Sequence, residues 1–202
     1  MTDEQLIETA GNGDESAFRE LMDRYIDAIY GFALQYAKNE QDAEDIAQDT
    51  FFKAWKNLKR FKKGLRFKPW IYAIARNTAL DHLKKKKSTV FSELDGAETE
   101  ITFAETLSDP EPLPPAVFAR AEIVRELEKA LEILHPDHRM VLILHYRDDM
   151  TFEEIAIAMG KPMNTVKSWH HRALERVRPA LAERLSSDPS LDKLGTSHQK
   201  KP

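Results

Sequence analysis

One short stretch of the chain alternates aromatic and basic side chains in a pattern that suits a nucleic-acid strand. It lies at residues 61–70 and contains Phe61, Lys62, Lys63, Arg66, Phe67, Lys68 and Trp70. Cationic side chains follow a phosphate backbone, and aromatic rings receive unstacked bases at about 1–3 kcal/mol each. The polar residues Arg76, Asn77 and Lys84 come next, away from the apolar face of the same predicted helix. The pattern indicates a surface for single-stranded DNA, although aromatic residues at such spacing also serve as core residues.

A second polar set lies near the carboxyl end and suits duplex DNA. Thr151 and Glu154 have the spacing of a helix capping box, Gly160 suits the end of that helix, and Pro162 suits the start of another. Two helices joined by a tight turn can place the second in a major groove. Its polar face consists of Asn164, Thr165, Ser168, His171 and Arg172, with Lys167 at the edge, opposite Val166, His170, Ala173, Val177 and Leu181.

Arginine can bond guanine with two hydrogen bonds, whereas lysine more often contacts phosphate, so Arg172 is the candidate for sequence discrimination and Lys167 for general affinity. The alternative is a helical hairpin with a solvated polar face. His170, on the apolar face, is expected to pack.

A third set points to a protein partner. Asp42, Asp45, Asp49, Phe52 and Lys56 share the outer face of one predicted helix. An apolar anchor among charges provides both contact area and electrostatic steering. The alternative is that Phe52 packs against a neighbouring helix.

Helices must position all three sets, because almost every periodic segment repeats at three and four residues. We predict helices at 3–11, 15–37, 41–60 and 69–87, followed by an acidic, proline-rich stretch and renewed helical periodicity from residue 117. The predicted fold is all-α, with two small helical bundles joined by an extended acidic linker and a helix-turn-helix in the second. The predicted ranges are 1–88 and 117–186 for the bundles, 89–116 for the linker and 187–202 for a loose tail.

Composition excludes several classes of protein. The chain has 202 residues, a net charge of −4 and no cysteine, which excludes disulfides and thiolate metal sites. The GxGxxG, P-loop and HExxH motifs are absent, and His135 and His138 lack supporting carboxylates. We expect no catalytic residue, no metal and no cofactor. Without a membrane-spanning run or a signal-peptide pattern, no membrane insertion and a cytoplasmic location are expected.

Charge is strongly segregated along the chain. Residues 40–49 hold five acids and no base, residues 53–87 hold thirteen bases and one acid, and residues 93–111 hold seven acids and no base. Such blocks favour partners of different charge, although solvated helix faces are a simpler interpretation of the basic block.

The ordered motifs resemble a known family. Residues 42–51 followed by Trp55 resemble region 2.2 of sigma-70 family initiation factors. Residues 70–77 followed by Asp81 resemble the end of their region 2, and residues 151–173 resemble region 4. The presence of these two regions alone is similar to the extracytoplasmic function (ECF) group of sigma factors.

The resemblance implies partners for each surface. Asp45, Gln48, Asp49 and Phe52, with Asp42 on the same face, would dock on the clamp helices of the largest subunit of core RNA polymerase. The Phe61–Phe67 loop and the helix bearing Arg76 and Asn77 would bind the minus-ten promoter element, with one non-template base flipped out. The face from Asn164 to Arg172 would bind the minus-thirty-five element as duplex.

The resemblance also implies a course for the linker and a further partner. The acidic linker would pass through the polymerase cleft, and an anti-sigma factor is a further expected partner. The sequence departs from the family at Trp169, where arginine is usual, at His170, where leucine is usual, and at Lys161, where an apolar residue is common.

The resemblance favours a sigma factor that directs promoter recognition, melting and transcription initiation. One alternative is a helix-turn-helix regulator that binds duplex DNA without recruiting polymerase, and it assigns no role to Asp45, Asp49 or Phe52. A second alternative is a helical hydrolase or nuclease, for which the sequence lacks a metal-carboxylate motif.

Overall fold

The structure is a computed structural model that describes residues 1–37, 39–62, 64–93 and 126–186, except for the side chains of 87–93, 180 and 183–186. Those residues form helices joined by turns and short irregular segments, with no strand among them, as the periodicity predicts. The helices are α1 (Asp3–Gly11), α2 (Glu15–Ala37), α3 (Glu40–Asn57), α4 (Phe67–Glu93), α5 (helical at 126–132), α6 (Pro136–Tyr146), α7 (Phe152–Met159) and α8 (Met163–Ser186). A 3₁₀ turn, Leu58–Arg60, follows α3.

Helix ends follow local chemistry. Thr2 and Gln5 form a capping box at α1, and the Asn39 side chain accepts a hydrogen bond from the Asp42 amide at the start of α3. α4 extends to Glu93, six residues beyond the predicted end at 87. Residues 88–93 contain neither glycine nor proline, and a helix adds one hydrogen bond per residue until such a residue stops it. The predicted linker from residue 94 onward and the tail at 187–202 lie outside the described residues.

The chain forms two compact units. Unit 1 contains Met1–Phe103 and Leu144–Val166, and unit 2 contains Ala104–Ile143 and Lys167–Pro202. The bundle boundaries at 1–88 and 117–186 remain predictions. In the structure, α7 and the loop before it belong to the same unit as α1–α4.

The core of unit 1 lies between α2, α3 and α4. Fully buried side chains from each helix meet there, including Phe32, Ile46, Ile71 and Tyr72. The rings of Phe32 and Tyr72 pack edge to face with centroids 5.2 Å apart, a favoured aromatic geometry. This core holds α3 and α4 in place, so their outer side chains are presented on rigid helices.

The core of unit 2 is smaller and aliphatic. It consists of Ala130, Leu134, Leu142, Ala173 and Val177, with Leu131 and Leu174 packed against it. Ala173 and Val177 come from α8, which confirms the predicted inward face of that helix and turns its polar side chains outward.

Candidate protein-binding and nucleic-acid-binding surfaces

The outer face of α3 presents carboxylates around an exposed aromatic ring. Asp45, Gln48 and Asp49 are exposed, and the Phe52 side chain is 55% exposed. These residues recur at three and four along one helix, whereas Ile46, Phe51 and their neighbours point into the core. The predicted outward position of Phe52 is therefore observed, and its packing against a neighbouring helix is not.

Lys56 and Trp55 extend this face. The Lys56 ammonium lies 4.1 Å from the centroid of the Phe52 ring, which is a cation–π contact. Trp55 is 37% exposed, and its ring lies 5.0 Å from that of Phe18. The family resemblance includes Trp55 but does not predict its exposure. Its position one residue before Lys56, at the edge of the apolar stripe, indicates that exposure. We call Asp45, Gln48, Asp49, Phe52 and Trp55 the docking face.

Asp42 has a different environment from the docking face. Its carboxylate accepts hydrogen bonds from Lys86 Nζ at 2.5 Å and Asn39 Nδ2 at 2.7 Å, and it lies 3.2 Å from His82 Nε2. Burial alone would raise the pKa of Asp42, but these partners outweigh it and lower the pKa to about 2. The structure therefore corrects the prediction for Asp42, whose carboxylate ties α3 to α4 instead of facing a partner.

The aromatic residues of the basic stretch divide between core and surface. Phe67 is fully buried and packs edge to face on Tyr25 at 5.2 Å. Phe61 and Trp70 are half-buried and pack edge to face on each other at 5.0 Å. The prediction that Phe67 contacts DNA is therefore corrected, because its ring is inaccessible, while Phe61 and Trp70 remain partly exposed. Lys63 lies outside the described residues.

Two cations of this stretch are engaged within unit 1. Arg66 Nη1 lies 2.6 Å from Glu154 Oε1, and Lys68 Nζ donates to the backbone carbonyl of Asp148. The sequence does not predict these pairs, because Glu154 lies 88 residues from Arg66 and Asp148 lies 80 residues from Lys68 along the chain.

The polar residues farther along α4 are accessible to different degrees. Asn77 and Lys84 are exposed, and Arg76 is half-buried with its Nε atom buried and making no hydrogen bond. On the inner side, Thr78 is buried and accepts a hydrogen bond from Lys53 at 3.1 Å. Arg76 and Asn77 therefore lie at an accessible edge of α4, as the helical spacing predicts.

The predicted helix-turn-helix ends are present in the structure. Thr151 and Glu154 form both hydrogen bonds of the capping box at α7, and Gly160 ends that helix with a left-handed φ of 59°. The Pro162 carbonyl then accepts the amides of Thr165 at 2.9 Å and Val166 at 3.2 Å, which begins α8.

The outer face of α8 carries donors at the predicted positions. Asn164, Lys167, Ser168, His171 and Arg172 are exposed, and Thr165 is half-buried. His171 Nε2 lies 3.3 Å from Glu175 one turn later. We call these six residues the recognition face.

Trp169 and His170, the two family departures on α8, are both half-buried. The Trp169 ring lies 5.8 Å from the ring of His138, which in turn lies 5.7 Å from that of His135. Burial first, and then the electrostatic effects of His135 and Arg172, lower the pKa of His138. Trp169 therefore packs against an aromatic ring of unit 2, and it directly follows Ser168 of the recognition face.

Among the described residues, no three histidine, aspartate or glutamate side chains are grouped to hold a metal ion. The helices in the described part of the chain are also too short or too polar to cross a bilayer.

Two family models match separate parts of the chain. Residues 21–89 match the family model for Sigma-70 region 2, and residues 124–177 match that for Sigma-70, region 4. The chain is 31% identical over 178 residues to the ECF RNA polymerase sigma factor SigW of Bacillus subtilis, covering 88% of this chain and 95% of that protein. It is 32% identical over 182 residues to the ECF RNA polymerase sigma-E factor of Escherichia coli, covering 88% and 93%.

Solved structures are similar as well. CnrH, in complex with the cytosolic domain of CnrY, has a TM-score of 0.62 at 25% identity, covering 92% of this chain and 98% of that chain. RpoE of Bartonella quintana, in complex with the anti-sigma factor NepR, has a TM-score of 0.59 at 26% identity, covering 85% and 98%.

Proposed function

Because the chain belongs to the ECF group of the sigma-70 family, it is a sigma factor that binds core RNA polymerase and directs promoter recognition, and we propose which residues carry each step. The docking face binds core polymerase. The basic stretch and the edge of α4 bind the minus-ten element. The recognition face binds the minus-thirty-five element.

The observation that carries the proposal is the docking face of α3. An exposed phenyl ring surrounded by carboxylates is costly to leave in water and well suited to a basic partner surface with an apolar pocket. A regulator that only binds duplex DNA has no use for such a surface, so the docking face favours polymerase recruitment over that alternative.

The free energy for strand separation comes from DNA binding at the basic stretch and the edge of α4. The partly exposed rings of Phe61 and Trp70 stack on unstacked bases at about 1–3 kcal/mol each, while Arg66, Lys68 and Lys84 follow the phosphates. These gains offset the few kcal/mol needed to flip a base out of the duplex. We propose that the chain itself makes and breaks no covalent bond, and that the polymerase performs the chemistry in the cytoplasm.

On the recognition face, the proposed roles follow the reach of each side chain. Arg172 contacts a guanine edge, Lys167 contacts phosphate, and Asn164, Thr165, Ser168 and His171 complete the contacts in the groove. An anti-sigma partner would cover the docking face when polymerase is absent, since the exposed Phe52 ring gives such a partner the same anchor.

A charge-reversal experiment tests the proposal. The Asp45→Lys/Asp49→Lys double variant should bind core polymerase at least about 30-fold more weakly, as loss of a hot spot of about 2 kcal/mol implies. The matched control is Asp23→Lys/Asp27→Lys, which reverses two exposed carboxylates on α2 with the same change in net charge.

Both variants should retain the far-ultraviolet circular dichroism of the wild type. Affinity for fluorescently labelled core polymerase is the measurement, followed by sequencing of transcripts made with the reconstituted holoenzyme. Equal affinities of the double variant and the wild type would refute the docking role and favour the regulator that binds DNA alone.

A further inference from the structure

The loop before α7 lies against α2 and α4 within unit 1. Arg147, Asp148 and Asp149 line one side of a cavity of about 320 Å³, and Tyr25, Lys68 and Tyr72 from α2 and α4 line the other. All of these residues belong to unit 1. One wall of this cleft is therefore the segment of the same chain that leads into the first helix of the helix-turn-helix.

One charged group of this loop is buried. Asp148 is only 9% exposed, and its carboxylate accepts two hydrogen bonds from the exposed neighbour Arg147, at 2.9 Å from Nε and 3.0 Å from Nη2. The backbone carbonyl of Asp148 accepts a hydrogen bond from Lys68, which joins the loop to α4. Burial, followed by the nearby Asp148 carboxylate, raises the pKa of the Tyr72 hydroxyl. A buried carboxylate requires a partner such as Arg147, so the pairing stabilises the loop in this position.

Gly31, in the middle of α2, lies beneath the Arg147 guanidinium. A Cβ atom at Gly31 would lie 3.4 Å from Arg147 Nη1, which is an ordinary contact distance, so only a side chain longer than alanine would displace the guanidinium. Asp149 adopts a φ of 50°, an uncommon conformation that lets the chain turn from the cleft into α7.

A second contact joins α7 to the basic stretch. Arg66 donates to Glu154 at 2.6 Å, and Glu154, 7% exposed, also accepts the Thr151 amide at 2.8 Å. One carboxylate therefore caps α7 and binds a cation assigned to the promoter strand. Lys68, the neighbouring cation, is occupied by Asp148.

We propose that residues Arg147–Glu154 form an intrachain lock that occupies Arg66 and Lys68 until the promoter complex forms. The inference rests on the proposed role of the basic stretch in strand binding. In the locked state two phosphate-binding cations are withheld, so the free factor binds single strands weakly. Release of the loop returns both cations to the promoter surface and frees α7 to move with the rest of the helix-turn-helix.

The lock itself is tested by distance measurement in the full chain. The protein has no cysteine, so Glu44→Cys and Ile157→Cys place two spin labels at unique exposed sites on α3 and α7. The doubly labelled protein without any further substitution should give one narrow distribution of label-to-label distances. Arg147→Ala should broaden it and lengthen the mean distance. A narrow, unshifted distribution in that variant would overturn the lock.

A second variant covers the case in which Arg147→Ala impairs folding. Gly31→Gln favours the α2 helix and fills the space of the guanidinium, so it should open the lock while preserving helix content. Glu154→Gln keeps an oxygen for the capping box and removes only the charge that binds Arg66. Glu153→Gln, on an exposed neighbour, is its matched control.

The functional measurement is binding of a fluorescein-labelled oligothymidylate at several salt concentrations. Each released phosphate contact steepens the plot of log affinity against log salt by about 0.7 for single strands. Gly31→Gln should therefore steepen the slope by about 1.4, Glu154→Gln by about 0.7, and Glu153→Gln should leave it unchanged.

A longer or broader label distance combined with an unchanged salt slope would refute the proposal that the lock withholds Arg66 and Lys68 from the strand. Absence of oligothymidylate binding by every form would contradict the proposed strand-binding role, whereas the label distances would still decide on the lock.

Discussion

Replacement of Asp42 by asparagine should destabilise the protein without weakening polymerase binding. The Asp42 carboxylate lies 2.5 Å from Lys86 Nζ and 3.2 Å from His82 Nε2, and its side chain is 16% exposed. A fall in pKa from 3.8 to about 2 corresponds to about 2 kcal/mol of folding free energy. Because the Lys86 side chain is 54% exposed and solvent screens the pair, we expect a loss of about 1–2 kcal/mol.

The loss should depend on pH in a defined direction. The folded-state pKa of Asp42 lies below its unfolded value, so the ion pairs stabilise the fold above about pH 4. That contribution declines as the pH falls toward the folded-state pKa of about 2. The difference in unfolding free energy between wild type and Asp42→Asn should therefore be constant near neutral pH and shrink in acid.

The assay is urea denaturation followed by far-ultraviolet circular dichroism at neutral and acidic pH. Asp45→Asn, an exposed carboxylate of the same helix, is the matched control and should change stability by less than about 0.5 kcal/mol. Under conditions where all forms are folded, Asp42→Asn should bind core polymerase as the wild type does. Unchanged stability, a gap that persists in acid, or a large loss of polymerase affinity would each refute the assignment of Asp42 to helix packing.

Three further outcomes follow from the helix-turn-helix. Thr151→Ala removes the side-chain cap of α7 and should destabilise the fold by about 1 kcal/mol in the same denaturation assay, whereas Thr151→Ser should restore most of it. Lys167→Ala should weaken binding to all duplex sequences and reduce the salt slope by about 0.9, as loss of one phosphate contact implies. Arg172→Ala should instead relax preference at one base pair, by about 1–3 kcal/mol, in a selection from randomised duplexes. Identical effects of the two α8 variants on every sequence would contradict the assignment of the recognition face.

The basic stretch is the segment whose structure differs most from the one that its sequence pattern predicts. Seven alternating aromatic and basic residues suggested one continuous binding surface, yet Phe67 belongs to the core and Arg66 and Lys68 are paired with the α7 segment. Alternation along the chain does not distinguish an accessible ring from a buried one, because a helix turns successive residues to different sides.

Features that depend on neighbours within four residues could be predicted from the sequence. Local hydrogen bonds and helical spacing account for the bounds of α1 and α2, the capping box of Thr151 and Glu154, the left-handed Gly160 and the outward position of Phe52. The accessibility of each charge depends instead on how the helices pack. The partners of Asp42, Arg66 and Lys68 lie 44, 88 and 80 residues away, and no local rule specifies which distant side chain the packed core brings within hydrogen-bonding distance.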